Sequence, residues 1–552
     1  MRFIRYLAAA AVVGTLAGCD ADTLGVQNKN NPDRLRVLGL PTDVEALASS
    51  QYQQVFSAIY NNIAAVELSM MTMSFMNSSG LANNGMGPRS GIPRQPIDNA
   101  NGNTYAIENF RDFRILTAVA RTSSDIIARG KQEGFALPGG EANLNRLLGW
   151  AHFTYGVSMG YVSMVYDQAG IPRPTDGVET PPLEDYDVVN AYALAQLDSA
   201  QAYFSRPGTA ALPGGWLNGP GGAGVSAADF VKLIRTYKAR IRAGVARTPA
   251  ERAAVAWTEV IADATNGITS DFIVHFSPSN GWDHNWMAGT LHFRDANWHQ
   301  MTYYIIGMAD VSGAYDAWLA TPRDARNPFL IITPDLRFPQ GATRAAQNDD
   351  RGGQAAPTGG KYFRNRLPGL DQSGSGWQNS FYDHYRFRTW SLAERIGPKP
   401  YITRAENDML AAEGYIRTNN IAAAAALIDR TRVPNGLPAL TGVVTTATQP
   451  VPGGSECVPR VPVGPTFTTT ACGNILEAMK WEKRMETAYT SYGAWFFDAR
   501  GWGDLPEGTP IQWPVPVQEL NARRLDTYNI GGVGREGGSG PSTYGFGAGT
   551  TR

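Results

Sequence analysis

Apolar residues recur at spacings of three and four over long stretches of this chain, and that period predicts helices. The clearest stretch is Ser226 to Gly267, which reads as two antiparallel helices. Ser226-x-x-Asp229 and Thr248-Pro249-x-Glu251 both have the chemistry of capped helix starts, the second with proline at the first helical position. Phe230, Ile234, Tyr237, Ile241 and Val245 share one face of the first helix; Ala254, Trp257, Ile261 and Ala264 share one face of the second, which Asn266-Gly267 ends. A hairpin with a single apolar face cannot bury that face alone, so it predicts neighbours of the same kind.

The same period predicts helices over Val44–Val66, Ile107–Ala128, Leu144–Tyr166, Asp185–Phe204, Trp298–Leu319, Ile402–Ile416, Ile421–Val433 and Ile475–Phe496. Paired in order, they give hairpins 44–66/107–130, 144–166/185–204, 226–247/248–267 and 401–417/420–433, with 474–498 following. Ala239, Ala243, Ala412 and Ala424 are small enough to sit where such helices cross closely. A tetratricopeptide-like array fits, its usual spacing obscured by inserted loops. Segments 70–106, 268–396, 434–473 and 499–552 make up a loop-rich remainder, and long loops of this kind are either functional or disordered. Their tryptophans and tyrosines argue for order. The predicted fold class is mostly α: tetratricopeptide-like hairpins packed against a loop-rich irregular half with few short strands.

The first eighteen residues stand outside that fold. Arg2 and Arg5 precede an apolar run, Ala8–Leu16, far short of the roughly 20 residues that span a bilayer. The run closes on Leu16-Ala17-Gly18-Cys19, the pattern of a bacterial lipoprotein signal, so residues 1–18 are expected to be removed and Cys19 acylated. Such a protein is anchored to a membrane without crossing it. Residues 19–552 then form one domain. The formal charge of −1 gives no electrostatic case for a nucleic-acid partner. Only three cysteines occur, and outside the cytoplasm the remaining two, Cys457 and Cys472, are expected to form a disulfide that staples their loop.

Candidate catalytic and metal motifs read as structural. Gly156-Val157-Ser158-Met159-Gly160 matches a hydrolase nucleophile elbow, but that motif needs a strand, a sharp turn and a helix, and here it lies inside a helical pattern. The histidines, His152, His275, His284, His292, His299 and His384, form no His-Glu-x-x-His or cysteine–histidine pattern, although His284, His292 and His299 share one segment with Asp283 and Asp295, which leaves a metal site there as the lesser alternative. The glycine-rich runs 219–224 and 531–540 lack the lysine of a phosphate cradle. No pair of carboxylates is marked for glycoside hydrolysis. No cofactor is expected. What stands out is an aromatic cluster: Trp282, Trp286 and Trp298 interleaved with Asp283, Asn285 and other polar residues. Flat rings beside amides and carboxylates suit a sugar, whose C–H face stacks while its hydroxyls are bonded. The same tryptophans would equally serve to pin a long loop to the helices.

Taken together, the residues resemble the SusD/RagB family of outer-membrane nutrient-binding lipoproteins over nearly the whole chain. The resemblance rests on the Leu-Ala-Gly-Cys19 anchor, Tyr166-Asp167-Gln168-Ala169-Gly170-Ile171-Pro172, Leu183-Glu184-Asp185-Tyr186-Asp187, and Tyr237-Lys238-Ala239-Arg240. Further on it rests on Arg404, Ala405, Glu406, Ala412 and Glu413, on Glu482, Arg484, Glu486 and Arg500-Gly501-Trp502, and on Pro514-Val515-Pro516. It implies a surface lipoprotein of the outer membrane that binds a glycan or peptide without altering it. It also implies a partner, a SusC-like TonB-dependent transporter, to which the ligand passes. A surface glycoside hydrolase using carboxylates of the loop-rich half is the alternative. The long glycine-rich inserts depart from the family pattern.

Overall fold

The computed structural model describes residues 38–60, 66–79, 85–105, 107–174, 180–283, 299–350, 361–366 and 376–547. Cys19 and the signal segment lie outside them. Contacts divide the chain into a short unit ending at Leu47 and a large one from Ala48.

Helices dominate the large unit. They are α1 (Gln51–Tyr60), α2 (Val66–Met73), α3 (Ile107–Gly130), α4 (Gly140–Val165), α5 (Tyr186–Phe204), α6 (Ala227–Gly244), α7 (Pro249–Ala254), α8 (Trp257–Thr265), α9 (Arg404–Arg417), α10 (Ile421–Arg432), α11 (Ile475–Thr487) and α12 (Ala494–Trp502). They stack in sequence: α1 on α3, α3 on α4, α4 on α5, α5 on α6, α6 on α8, α8 on α9, and α9 on both α10 and α11. The expected caps are present. Ser226 accepts from Asp229 N, and Thr248 accepts from Glu251 N ahead of Pro249. Thr403 and Asn474 cap α9 and α11 in the same way.

Small residues set how closely the layers approach. A Cβ added at Gly156 of α4 would lie 2.7 Å from Leu197 Cγ and 2.9 Å from the Ala193 carbonyl oxygen, both on α5. One at Gly160 would lie 2.4 Å from Ile241 of α6. The glycines flanking Ser158 therefore belong to helix crossings, and Ser158 Oγ donates to Thr154 O at 2.7 Å within the same helix. Ala239, Ala243, Ala412 and Ala424 are all fully buried between layers.

Four sequence expectations need correction. Val44–Val66 is not one helix, because a turn at Ser50 separates α1 from a preceding helix, Pro41–Ser49. The second helix of the 226–267 hairpin is split, because Trp257 Nε1 donates back to Arg252 O at 2.9 Å and the chain restarts there. Ile475–Phe496 breaks at residues 488–493, where Tyr489 and Gly493 take positive φ. That turn is held by long-range polar contacts: Lys399 Nζ donates to Tyr489 O at 2.6 Å, Tyr492 OH to Asp112 at 2.7 Å, and Ser491 Oγ to Glu406. Over 298–319 the described chain is strand His299–Gln300, short helix Tyr303–Ile306, one 3₁₀ turn and helix Ala314–Ala320. Its apolar period reflects an aromatic core and not a helix face. Nor are the expected loops featureless, since 70–106 includes the end of α2 and helix Met86–Ser90, and 499–552 includes helix Val517–Arg523.

Strands are few and short, each sheet an antiparallel pair. The longest, β1 (Phe272–Phe276) with β2 (Gly397–Ile402), leads from α8 into the loop-rich half and back to α9. Between them in sequence, residues 361–366 and 382–384 supply another pair, Phe363–Asn365 with Tyr382–His384. Cys457 and Cys472 are joined by a disulfide beside hairpin Arg460–Val463/Thr469–Cys472.

Candidate functional site: the root of the tryptophan-bearing segment

The segment rich in tryptophan leaves the scaffold just after β1. Pro278–Asn280 forms one 3₁₀ turn closed by Gly281 at φ 78°, and Ser277 and Trp282 then pair as an antiparallel bridge. Gln53 of α1 donates to Asn280 O, which ties the turn to the helices. Trp282 itself is only 5% exposed, with its ring centroid 5.0 Å from Phe56 and 6.3 Å from Tyr52. It pins the root of the segment and presents no open stacking face. Asp283 is buried as well and lies 3.9 Å from the Arg395 guanidinium. Asn285, Trp286 and Trp298 lie outside the described residues, as do His284 and His292.

Arg395 comes from a turn that carries backbone strain. Glu394 and Arg395 both take left-handed φ, 55° and 65°, where side chains other than glycine are disfavoured. They close helix Arg388–Leu392 through Glu394 N to Ser391 O and Arg395 N to Trp390 O. The turn leaves Leu392 49% and Ile396 52% exposed beside the pinned root. Beneath it Trp390 packs edge-on against Phe276 of β1, 5.1 Å between centroids. Sequence period could not reveal this rim, since a helix of five residues has too few positions to show one.

Two other aromatic positions in the loop-rich half are also interior. Trp377 packs against Phe75 and Tyr304, and Tyr382 OH donates to Gln347 Oε1 at 3.0 Å. Phe75, Tyr304, Trp377 and Phe546 form one cluster drawn from four distant parts of the chain. The sequence offers no signal for it, because its members share no element.

Three buried carboxylates in and beside this half are held by arginine. Asp335 is bonded by Arg337 at 2.7 Å, Glu486 by Arg386 at 3.2 Å, and Asp383 by Arg364 at 3.0 Å and by Arg366. Where the loops meet the helices, polar groups are buried with less compensation. Burial pushes the Lys399 ammonium down to about 7 against the opposing pull of Glu67. Burial pushes Asp112 up to about 7, although Tyr492 donates to it. Among the described residues no group of three His, Cys, Asp or Glu side chains could hold a metal ion, and no helix is long and apolar enough to cross a membrane.

Several of the charged residues on which the family resemblance rests, Arg240, Glu406, Glu413, Glu482, Arg484 and Arg500, are interior struts, while Asp185, Asp187 and Arg404 are exposed. Arg240 of α6 donates Nε and Nη2 to the two oxygens of Glu406 on α9, at 2.7 and 2.8 Å. Arg252 of α7 bonds Glu413 on α9 and Asp498 on α12, while Trp502 Nε1 donates to Glu413 at 3.0 Å. Burial alone would raise the Glu413 carboxyl, and Arg252 overrides it, holding it down at about 2. Glu482 bonds Arg337, Arg484 bonds Asp504, and Arg500 donates to the carbonyls of Gly244 and Ala246.

No protein-family model and no curated protein matches the chain. Solved structures do. A SusD homolog from Parabacteroides distasonis ATCC 8503 superposes with a TM-score of 0.53 at 13% identity, over 82% of this chain and 84% of that one. A SusD superfamily protein from Bacteroides thetaiotaomicron VPI-5482 gives 0.52 at 13%, over 88% and 97%. A SusD-like protein from Bacteroides fragilis NCTC 9343 gives 0.51 at 13%, over 86% and 89%. At this identity the likeness speaks to architecture, and the architecture is plain: stacked helical pairs with a loop-rich half, the SusD-like fold.

Proposed function

We propose that this chain is a non-catalytic nutrient-binding lipoprotein, acylated at Cys19 on the outer membrane, that captures an oligosaccharide and passes it to a SusC-like TonB-dependent transporter. The observation that carries this reading is the fixed root at Trp282 and Asp283. A segment bearing Asn285, Trp286 and Trp298 starts from a turn held to α1 by a buried indole and to the Glu394–Arg395 turn by an ion pair. Rigid support under ring-bearing segments is what a binding site needs, because less ordering entropy is then lost on capture. In this reading Trp286 and Trp298 stack on sugar rings and Asn285 bonds hydroxyls, while Trp282 and Asp283 position them. The resemblance of the sequence to SusD/RagB proteins supports the lipid anchor and the transporter partner.

A surface glycoside hydrolase is the rival. It would need one carboxyl kept protonated beside a second kept ionised. Asp335, Asp383 and Glu486 are each gripped by arginine, an arrangement that braces loops. Incubating the purified chain with a glycan panel, then measuring both retained ligand and released product, separates the two. Binding without product supports capture; product that vanishes on substitution of a loop carboxylate overturns it.

A further inference from the structure

We infer that the helical half holds one ordered water molecule, bound between two ion-pair networks as a built part of the interior. Arg240, Glu406, Lys483 and Asp498 line a cavity of about 10 Å³ whose apolar wall includes Leu410 and Phe497. All six residues are buried. A space of that size takes a single water and no larger ligand.

The lining also selects for a neutral guest. Two cations and two anions face the cavity, so their charges balance and an ion of either sign would lose its hydration without a net opposite charge to replace it. Hydrogen-bonding capacity remains on both sides. Lys483 carries three N–H groups; its ammonium donates to the two oxygens of Asp498, each at 2.8 Å, and lies 5.8 Å from the centre of the Trp502 ring. Among the described residues no other oxygen or nitrogen accepts from it, so one N–H is left for a further acceptor. Glu406 accepts two bonds from Arg240 and one from Ser491, which leaves a lone-pair site on a carboxylate that can take about four. A water accepting from Lys483 and donating to Glu406 satisfies both and has the two partners a buried water requires.

This water joins networks that are otherwise separate. On one side lie Arg240 and Glu406, linking α6 to α9; on the other lie Arg252, Asp498 and Lys483, linking α7, α12 and α11. The site is independent of the ligand the protein carries.

Crystals of the mature chain diffracting well enough to show ordered waters test it, with Lys483→Met as the paired variant. The wild-type map should show one isolated peak within hydrogen-bond distance of Lys483 Nζ and a Glu406 oxygen. In Lys483→Met, which keeps most of the side-chain volume but removes the donor, the peak should vanish. The inference is overturned if the wild-type cavity shows no peak, if Lys483 bonds Glu406 directly, or if the peak persists in the variant. Should Lys483→Met fail to fold, the wild-type map alone decides.

Discussion

The two halves of this chain draw their interiors from different distances along the sequence. In the helical half, neighbours in space are neighbours in the order of helices, glycine and alanine set the spacing, and arginine–carboxylate pairs tie α6 and α7 to α9. In the loop-rich half, aromatic residues from remote positions meet in clusters such as Phe75, Tyr304, Trp377 and Phe546. The first arrangement repeats, so every layer supports the next; the second is assembled once.

The sharpest way to break this comparison is to remove one of the arginine ties. Arg252→Met should cost about 3–5 kcal/mol, because it leaves Glu413 and Asp498 buried with less compensation. Denaturant midpoints with an unchanged slope would read that loss directly. Trp282→Ala asks whether the loop-rich half depends on the helical one, and truncating a buried tryptophan typically costs about 3–5 kcal/mol. A variant of normal stability would show that Trp282 is not a pin.

The junction between the halves gives a smaller, pH-dependent effect. Asp112 titrates near 7 in the folded chain against an ordinary 3.8, so the fold favours its neutral form. Its contribution is fully present below about pH 4 and is lost as pH rises toward 7, by no more than about 4 kcal/mol. Asp112→Asn should flatten that part of the stability profile, measured as melting temperature between pH 4 and 8. The smallest effect concerns the disulfide, which packs on the core between α9, α10 and α11. Cys457 and Cys472 close a loop with a sequence separation of 15, for which the chain-entropy model gives about 3 kcal/mol. Replacing both with serine should lower the melting temperature and leave ligand affinity unchanged.

How much was legible in the sequence reflects the same contrast. Ser226, Thr248 and Pro249 announced their helix starts because capping is a local interaction. Ala239 and Ala412 announced crossings because small residues on a periodic face have one obvious use. Tyr303, Tyr304 and Trp318 misled as a helix because an aromatic core can mimic the period by accident. Trp282 stood out in the sequence as a candidate, but sequence could not distinguish a ring that stacks on sugar from one that packs on Tyr52 and Phe56. That distinction depends on partners more than two hundred residues away. The strained turn at Glu394 and Arg395 was invisible for a similar reason, since neither residue type signals a left-handed backbone.

The most direct test of the account is calorimetric titration of an oligosaccharide panel into the wild-type chain and into Trp286→Ala/Trp298→Ala, with the same samples assayed for hydrolysis. The account predicts binding without product, and a loss of about tenfold or more in affinity, roughly 1.4 kcal/mol, in a variant whose melting temperature is unchanged. Unchanged affinity in the double variant, or release of shortened sugars by the wild type, would contradict it.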